Sequence, residues 1–169
     1  MFYLRDLPDD KTLRVFAKRY PDMDPSAVRA AIALCRTGSD LLTGFETLLS
    51  RYGLSQGRFL TLMVLNRTPD DTVNPSQLAE RVGVTRATMT GLLDGLYGDA
   101  LITREANDED RRRLSVQLTA KGRQMLESIL PDYYRRNARL MKALTEDERL
   151  QLGFLLEKVN QGLSALTRK

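Results

Sequence analysis

Residues 74–96 read "NPSQLAERVGVTRATMTGLLDGL", and this stretch decides the fold. Asn74 can cap a helix with Pro75 at its first position, where the missing N–H costs nothing and the fixed φ suits a helix start. That helix, "PSQLAERV", buries Leu78, Ala79 and Val82 and stops at Gly83. A second helix starts at Thr85, after a turn of only a few residues. Two short helices joined by a tight Gly-containing turn are the helix-turn-helix pattern. In the second helix Met89, Leu92, Leu93 and Leu96 fall at i, i+3, i+4 and i+7 and face the core. Its opposite face carries Ala87, Thr88, Thr90, Gly91, Asp94, Gly95 and Gly98, with Arg86 in the first turn. Glycine inside a helix costs up to ~1 kcal/mol relative to alanine. A major groove gives a reason for so small a face: the backbone comes close, threonine methyls touch thymine methyls and an arginine reads guanine. A drifted, solvated face is the plainer reading, but the position between a helix-turn-helix and a wing favours DNA. Asp94 would repel phosphate, which places the contacts in the first two turns.

After Leu101 the apolar period changes from 3.6 to 2. "ITREA" and "RLSVQLT" read as two strands around "NDED", with Leu114, Val116 and Leu118 on the inner face. The tip concentrates charge, with Asp110 followed by Arg111, Arg112 and Arg113. Arginine is long, permanently charged and less strongly hydrated than lysine, which suits the narrow minor groove and its flanking phosphates. Asp110, two residues before Arg112, can hold it extended through a charge-assisted hydrogen bond and so lower the ordering cost of insertion. An isolated "DRRR" would be a solvated loop worth almost nothing; at the tip of a wing, position decides for function.

Outward from this centre the chain is helical. A short helix is expected over 10–20, closed by Pro21, and a long one capped by Ser26 and running to about Tyr52. On the long helix Ala31, Leu34, Gly38, Leu41, Phe45 and Leu48 form one stripe, and Val28, Ile32, Cys35, Leu42 and Leu49 form a second beside it. So wide an apolar arc buries more than one side, against a partner subunit or a thick monomer core. Ser55 caps a helix to about Asn66, and "RTPDDTV" is a loop. Thr119 caps a long helix to about Lys142, bent at Pro131. Thr145 with Glu148 makes a capping box for a last helix, whose stripe from Leu152 to Leu166 runs almost to the end of the chain. The expected fold class is mainly α, a winged helix-turn-helix with a two-stranded β wing between helical ends, in a single domain.

Composition is consistent with this. The chain has 169 residues, 42% of them hydrophobic, which suits one globular core. Its acidic start "MFYLRDLPDDK" is unlike a signal peptide, and no apolar run approaches the ~20 residues a bilayer needs, so no membrane role and a cytoplasmic location are expected. A single cysteine, Cys35, excludes an intrachain disulfide. The lack of any histidine argues against zinc sites and histidine-dependent hydrolysis. The net charge of +4 and pI near 9.4 are compatible with nucleic acid without being diagnostic of it.

These residues resemble the MarR family of transcriptional regulators over about residues 26–167. Three stretches carry the resemblance: "PSQLAERVGVTRATMTGLLDGL", "LITRE" and "DRRRLSVQLTAKG". The last is similar to the family's wing signature at Asp110, Arg112, Leu118, Thr119 and Gly122. The resemblance implies a homodimer with a helical dimerisation region, here 1–54 and 124–169, and a DNA-binding lobe, here 55–123. It further implies two lobes on a pseudo-palindromic double-stranded operator, repression, and release by a small phenolic or anionic effector. One departure stands at the end of the recognition helix: the family usually has glycine before the apolar pair, and this chain has Ala100 before Leu101 and Ile102, so a different helix exit is expected. The peroxide-sensing branch of the family has its cysteine nearer Ala31, and Phe45 and Gln56 stand where its tyrosines would. Cys35 therefore reads as a buried packing residue, with redox response as an alternative. The urate-sensing branch needs a tryptophan, absent here, and an arginine where Leu92 stands.

The first functional reading is accordingly a sequence-specific dimeric DNA-binding regulator that needs no cofactor or metal. Thr85, Arg86, Ala87, Thr88 and Thr90 would meet bases or nearby phosphates, and Ser76 and Gln77 would hold phosphate at a helix start. Arg112, oriented by Asp110, would enter the minor groove, with Arg111 and Arg113 adding backbone charge. Effector-binding residues stay unassigned. The second reading is a winged-helix protein-interaction module without DNA binding. The third is an enzyme, against which stands the absence of any nucleophile–base pair or phosphate loop; no catalytic residue is assigned.

Overall fold

The protein is described here by a computed structural model covering residues 6–67, 73–106 and 114–166. Helix α1 (Asp10–Arg19) is capped by Asp9, whose carboxylate accepts from the Thr12 N–H at 2.8 Å. Helix α2 spans Pro25–Ser50, and its start corrects the expected Ser26 cap. Asp24 Oδ1 accepts from the N–H groups of Ser26 and Ala27 at 2.7 and 3.2 Å, and from the Ser26 hydroxyl at 2.7 Å. A carboxylate at a helix N-terminus also gains from the backbone dipole, so it displaces the hydroxyl as cap.

Helix α3 (Gln56–Arg67) starts at Ser55, whose hydroxyl accepts from the Arg58 N–H at 3.3 Å. Then come α4 (Pro75–Val82), α5 (Arg86–Gly98), strands β1 (Ile102–Ala106) and β2 (Leu114–Leu118), α6 (Ala120–Leu140) and α7 (Glu146–Gly162). The capping box expected at Thr145 and Glu148 is formed. Beyond Gly162 the last stripe continues in a 3-10 turn, Leu163–Leu166, and not in α-helix. Helix α6 runs through Pro131 without interruption.

The strands pair antiparallel from Ile102↔Leu118 to Ala106↔Leu114, and Val73 bridges the other edge of β2 at Val116. Val116 and Leu118 are buried as the alternation requires; the Leu114 side chain lies outside the described set. One core joins Phe59 and Leu62 of α3, Leu78 of α4, Met89, Leu93 and Leu96 of α5, Ile102 of β1 and Leu126 and Ile129 of α6. Burying side chains of this size stabilises by about 1.5–3 kcal/mol each before entropy is set against it. The helical ends behave differently. Helix α2 gives this core only Leu49, although Leu48 beside it is also buried. Among its described residues α7 buries none, leaving Leu150 68% and Phe154 60% exposed.

The exit of α5 is the tightest joint. The Ala100 N–H donates to the Tyr97 carbonyl and the Leu101 N–H to that of Leu96, both at 2.9 Å, the double bond of a Schellman ending. That ending needs a left-handed residue, and Ala100 supplies it at φ 56, alone among the described non-glycine residues. The changed exit expected from Ala100 is therefore not found: the backbone makes the turn a glycine would make, with a strained alanine. Against this joint packs Gly122 of α6. A Cβ there would overlap the Leu101 carbonyl oxygen and lie 3.2 Å from Leu118 Cδ2.

Two stability outcomes follow, both read from urea melts. Gly122→Ala should destabilise by about 2–3 kcal/mol or more, since backbone cannot step aside as a side chain can. Ala100→Gly should stabilise by about 0.5–1 kcal/mol, the left-handed penalty of roughly 1–2 kcal/mol less the greater chain entropy glycine loses on folding.

Candidate nucleic-acid interface

The turn between α4 and α5 is set by Gly83 at φ 78, which closes α4 as a left-handed cap. Thr85 then caps α5, its Oγ1 accepting from the Thr88 N–H at 3.1 Å and sharing a 2.8 Å hydrogen bond with the Thr88 hydroxyl. The Thr90 hydroxyl donates to the Arg86 carbonyl at 3.1 Å. The hydroxyls of all three threonines are thus engaged within the helix and its cap. Thr85, Arg86, Ala87, Thr88, Thr90 and Gly91 are all exposed, while Met89, Leu93 and Leu96 beneath them are buried. Leu92, expected in the core, is only partly buried and lies against Gly57 of α3.

Ser76 and Gln77 are exposed at the start of α4. Gln77 is half committed: its Oε1 accepts from the Asn74 N–H at 3.2 Å in a capping box, which reserves its Nε2 for any other acceptor. Its backbone N–H donates to Asn74 Oδ1 at 2.9 Å, so a phosphate at this end would meet the Ser76 hydroxyl first. Asp110, Arg111, Arg112 and Arg113 lie outside the described residues, in the 107–113 connection whose paired ends are Ala106 and Leu114.

Three cations unassigned from sequence surround the back and exit of α5. Arg104 of β1 pairs with Asp94 at 2.8 Å and lies 5.5 Å from the centre of the Tyr97 ring. The carboxylate expected to repel DNA is thus neutralised from the wing. Arg58 of α3 donates through Nη2 to the Asp99 carboxylate and to the Gly95 carbonyl. Lys121 Nζ donates to the Asp99 carbonyl at 2.8 Å. Arg104 shares the strand face of buried Ile102, and a charged residue at an inward position demands a partner; that was the available signal. The Arg58 guanidinium, by hydrogen bond and charge, holds the Asp99 carboxyl below the usual carboxylate range.

Cys35 corrects its expected burial. It is exposed, on the rim of a groove with Leu34, Gly38, Leu42, Glu46 and Gln56. A larger cavity of about 820 Å³ lies between α2 and the end of α6, its apolar wall of Phe45, Leu48 and Met141 flanked by Arg51, Arg136 and Arg139. Among the described residues no acidic, Cys or His cluster could hold a metal, and no helix is long and apolar enough to cross a membrane.

Comparison with known proteins gives one consistent result. Residues 54–114 match the MarR family profile. The chain is 32% identical over 161 residues to the HTH-type transcriptional repressor YetL of Bacillus subtilis, covering 93% of this chain and 96% of that protein. It is 28% identical to the transcriptional repressor MprA of Escherichia coli K12, covering 90% and 86%. In structure it is similar to the transcriptional repressor CouR bound to a 23-mer DNA duplex, with TM-score 0.71, 25% identity, and coverage of 82% of this chain and 99% of that one. The MepR–DNA complex of Staphylococcus aureus has the same fold, with TM-score 0.71 at 21% identity over 79% and 95% of the two chains.

The depressed Asp99 value has a pH signature. A carboxyl whose folded pKa is lowered stabilises the fold above its ordinary value, and the contribution is lost as pH falls below about 4. Wild type should therefore exceed Asp99→Asn in urea midpoint at neutral pH, and that gap should close as the pH is taken toward about 3.

Proposed function

The chain belongs to the MarR family and is a DNA-binding transcriptional regulator, not an enzyme; on that premise we propose that it is a cytoplasmic, homodimeric repressor of a pseudo-palindromic operator. The observation that carries this reading is the exposed face of α5, where small residues and one arginine stand over fully buried leucines. Thr85, Arg86, Ala87, Thr88 and Thr90 read bases or neighbouring phosphates, and Ser76 and Gln77 hold phosphate at the start of α4. At the wing tip Asp110 aims Arg112 into the minor groove, and Arg111 and Arg113 add backbone charge. The helical region 1–54 and 124–169 forms the dimer, which the exposed apolar side chains of α7 support. Residues 55–123 form the reading lobe.

Release is by a small phenolic or anionic effector. The cavity between α2 and α6 supports that chemistry through an aromatic and aliphatic wall beside Arg51 and Arg139, while Arg136 is paired with Asp132 and Asp40 shares the lining. Binding there shifts the population toward dimers whose recognition helices no longer match the ~34–36 Å half-site spacing.

Fluorescence anisotropy on a duplex from the region upstream of its own gene tests this. Wild-type affinity should fall steeply with salt. Arg112→Ala should weaken binding across sequences and reduce the salt slope by about 1, while Arg86→Ala should also change sequence preference. Equal, weak binding of wild type and both variants to operator and scrambled DNA would reject the reading. Adding hydroxybenzoates to the preformed complex should lower the anisotropy.

A further inference from the structure

Helix α5 ends without a charge of its own to offset its dipole. Its last turn contains no basic residue, although its final carbonyls and the Asp99 carboxylate together make a negative end. The neutralising charge comes from α3, with Lys121 of α6 adding a second cation on the Asp99 carbonyl. Arg58 Nη2 donates to the Gly95 carbonyl at 3.1 Å and to the Asp99 carboxylate, and the side chain is only 19% exposed. Its Nε is buried with no hydrogen-bond partner among the described residues. Leaving a buried guanidinium N–H unpaired is a cost to stability. A residue chosen for stability alone would avoid that cost, since a methionine fills similar space with no polar atom. The neighbouring Gly57 lies against Leu92, where a Cβ would come within 3.0 Å of Cδ2, so the first turn of α3 is seated along the back of α5.

We propose that Arg58 is a positioning residue for DNA reading: it fixes the direction of the recognition helix by holding its far end, without touching DNA. The inference rests on the regulator reading above. The residues proposed to read DNA occupy the first turns of α5, and Arg58 grips the last one. At 1.5 Å per residue the helix is about 20 Å long, so a tilt of about 10° at Asp99 moves the reading end by about 3 Å. That displacement is the whole length of a hydrogen bond, and base-edge contacts do not survive it.

The test uses the full-length protein, the same upstream duplex at several salt concentrations, and four forms: wild type, Arg58→Met, Asp99→Asn and the double variant. Asp99→Asn changes an exposed cap and keeps the fold even if Arg58→Met does not. Each single change should weaken binding about tenfold, and the double variant should be no weaker than the singles, because the two act as one unit. The salt slope should stay at the wild-type value in all four, since no phosphate contact is removed. Amide hydrogen exchange of the free protein should quicken at Ala100 and Leu101 in every variant. A slope reduced by about 1 in Arg58→Met would make Arg58 a phosphate contact and overturn the proposal. So would affinities within about twofold of wild type, or a double variant weakened by about a hundredfold, the product of independent effects. If wild type itself ignores DNA, the regulator reading falls; unchanged exchange at Ala100 and Leu101 sinks the positioning role separately.

Discussion

Three consecutive carbonyls, those of Asp99, Ala100 and Leu101, are all taken by the cap and first turn of α6. Lys121 Nζ donates to the first at 2.8 Å, the Thr119 hydroxyl to the second at 2.8 Å and the Thr119 N–H to the third at 3.1 Å. The end of the recognition helix, the start of the wing strand and the start of the helix leaving the lobe are thereby one joint. A left-handed alanine persists there because so many neighbouring bonds determine its position. The same closeness leaves no room for a side chain at Gly122, so "LTAKG" is a docking sequence as much as a helix start. Wing and recognition helix take their relative orientation from these few bonds.

Most of the lobe was legible in the sequence because its signals are local. Asn74 and Pro75, Gly83, Thr85 and Thr119 each act within four residues and fall where expected, as does the Thr145–Glu148 pair outside the lobe. The change of period after Leu101 located both strands, including the register-bearing Val116 and Leu118. Where local signals compete, the reading slipped. Ser26 and Asp24 both suit a cap, and the carboxylate holds the position. Cys35 belongs to an apolar stripe, yet it stays exposed among the described residues. The proposed reading surface was nameable for the same local reason, as it is one face of one helix.

The support behind that surface was not legible, because it is assembled across sequence distance. Arg104 meets Asp94 across ten residues, and Arg58 meets Asp99 across forty-one. Periodicity correctly puts Asp94 on an exposed position of α5, where it suggests repulsion from a polyanion, and Asp99 adds a second carboxylate at the cap that ends the helix. The fold answers each acid with a half-buried arginine from behind, so the helix presents less negative charge than its sequence implies. As isolated surface pairs they would contribute little; their effect here lies in what they hold in place.

The exposure of α7 changes what stability means for this chain. A solitary helix of 17 residues is marginal in water, and this one carries its leucines, Phe154 and Val159 in the open. Such a segment completes its folding only against a second surface. When that surface belongs to another copy, folding becomes bimolecular, and dilution acts as a mild denaturant. For the proposed homodimer, the number of molecules in the cell then sets both how much of the protein is folded to its end and how much can span two half-sites. Abundance and competence become the same variable.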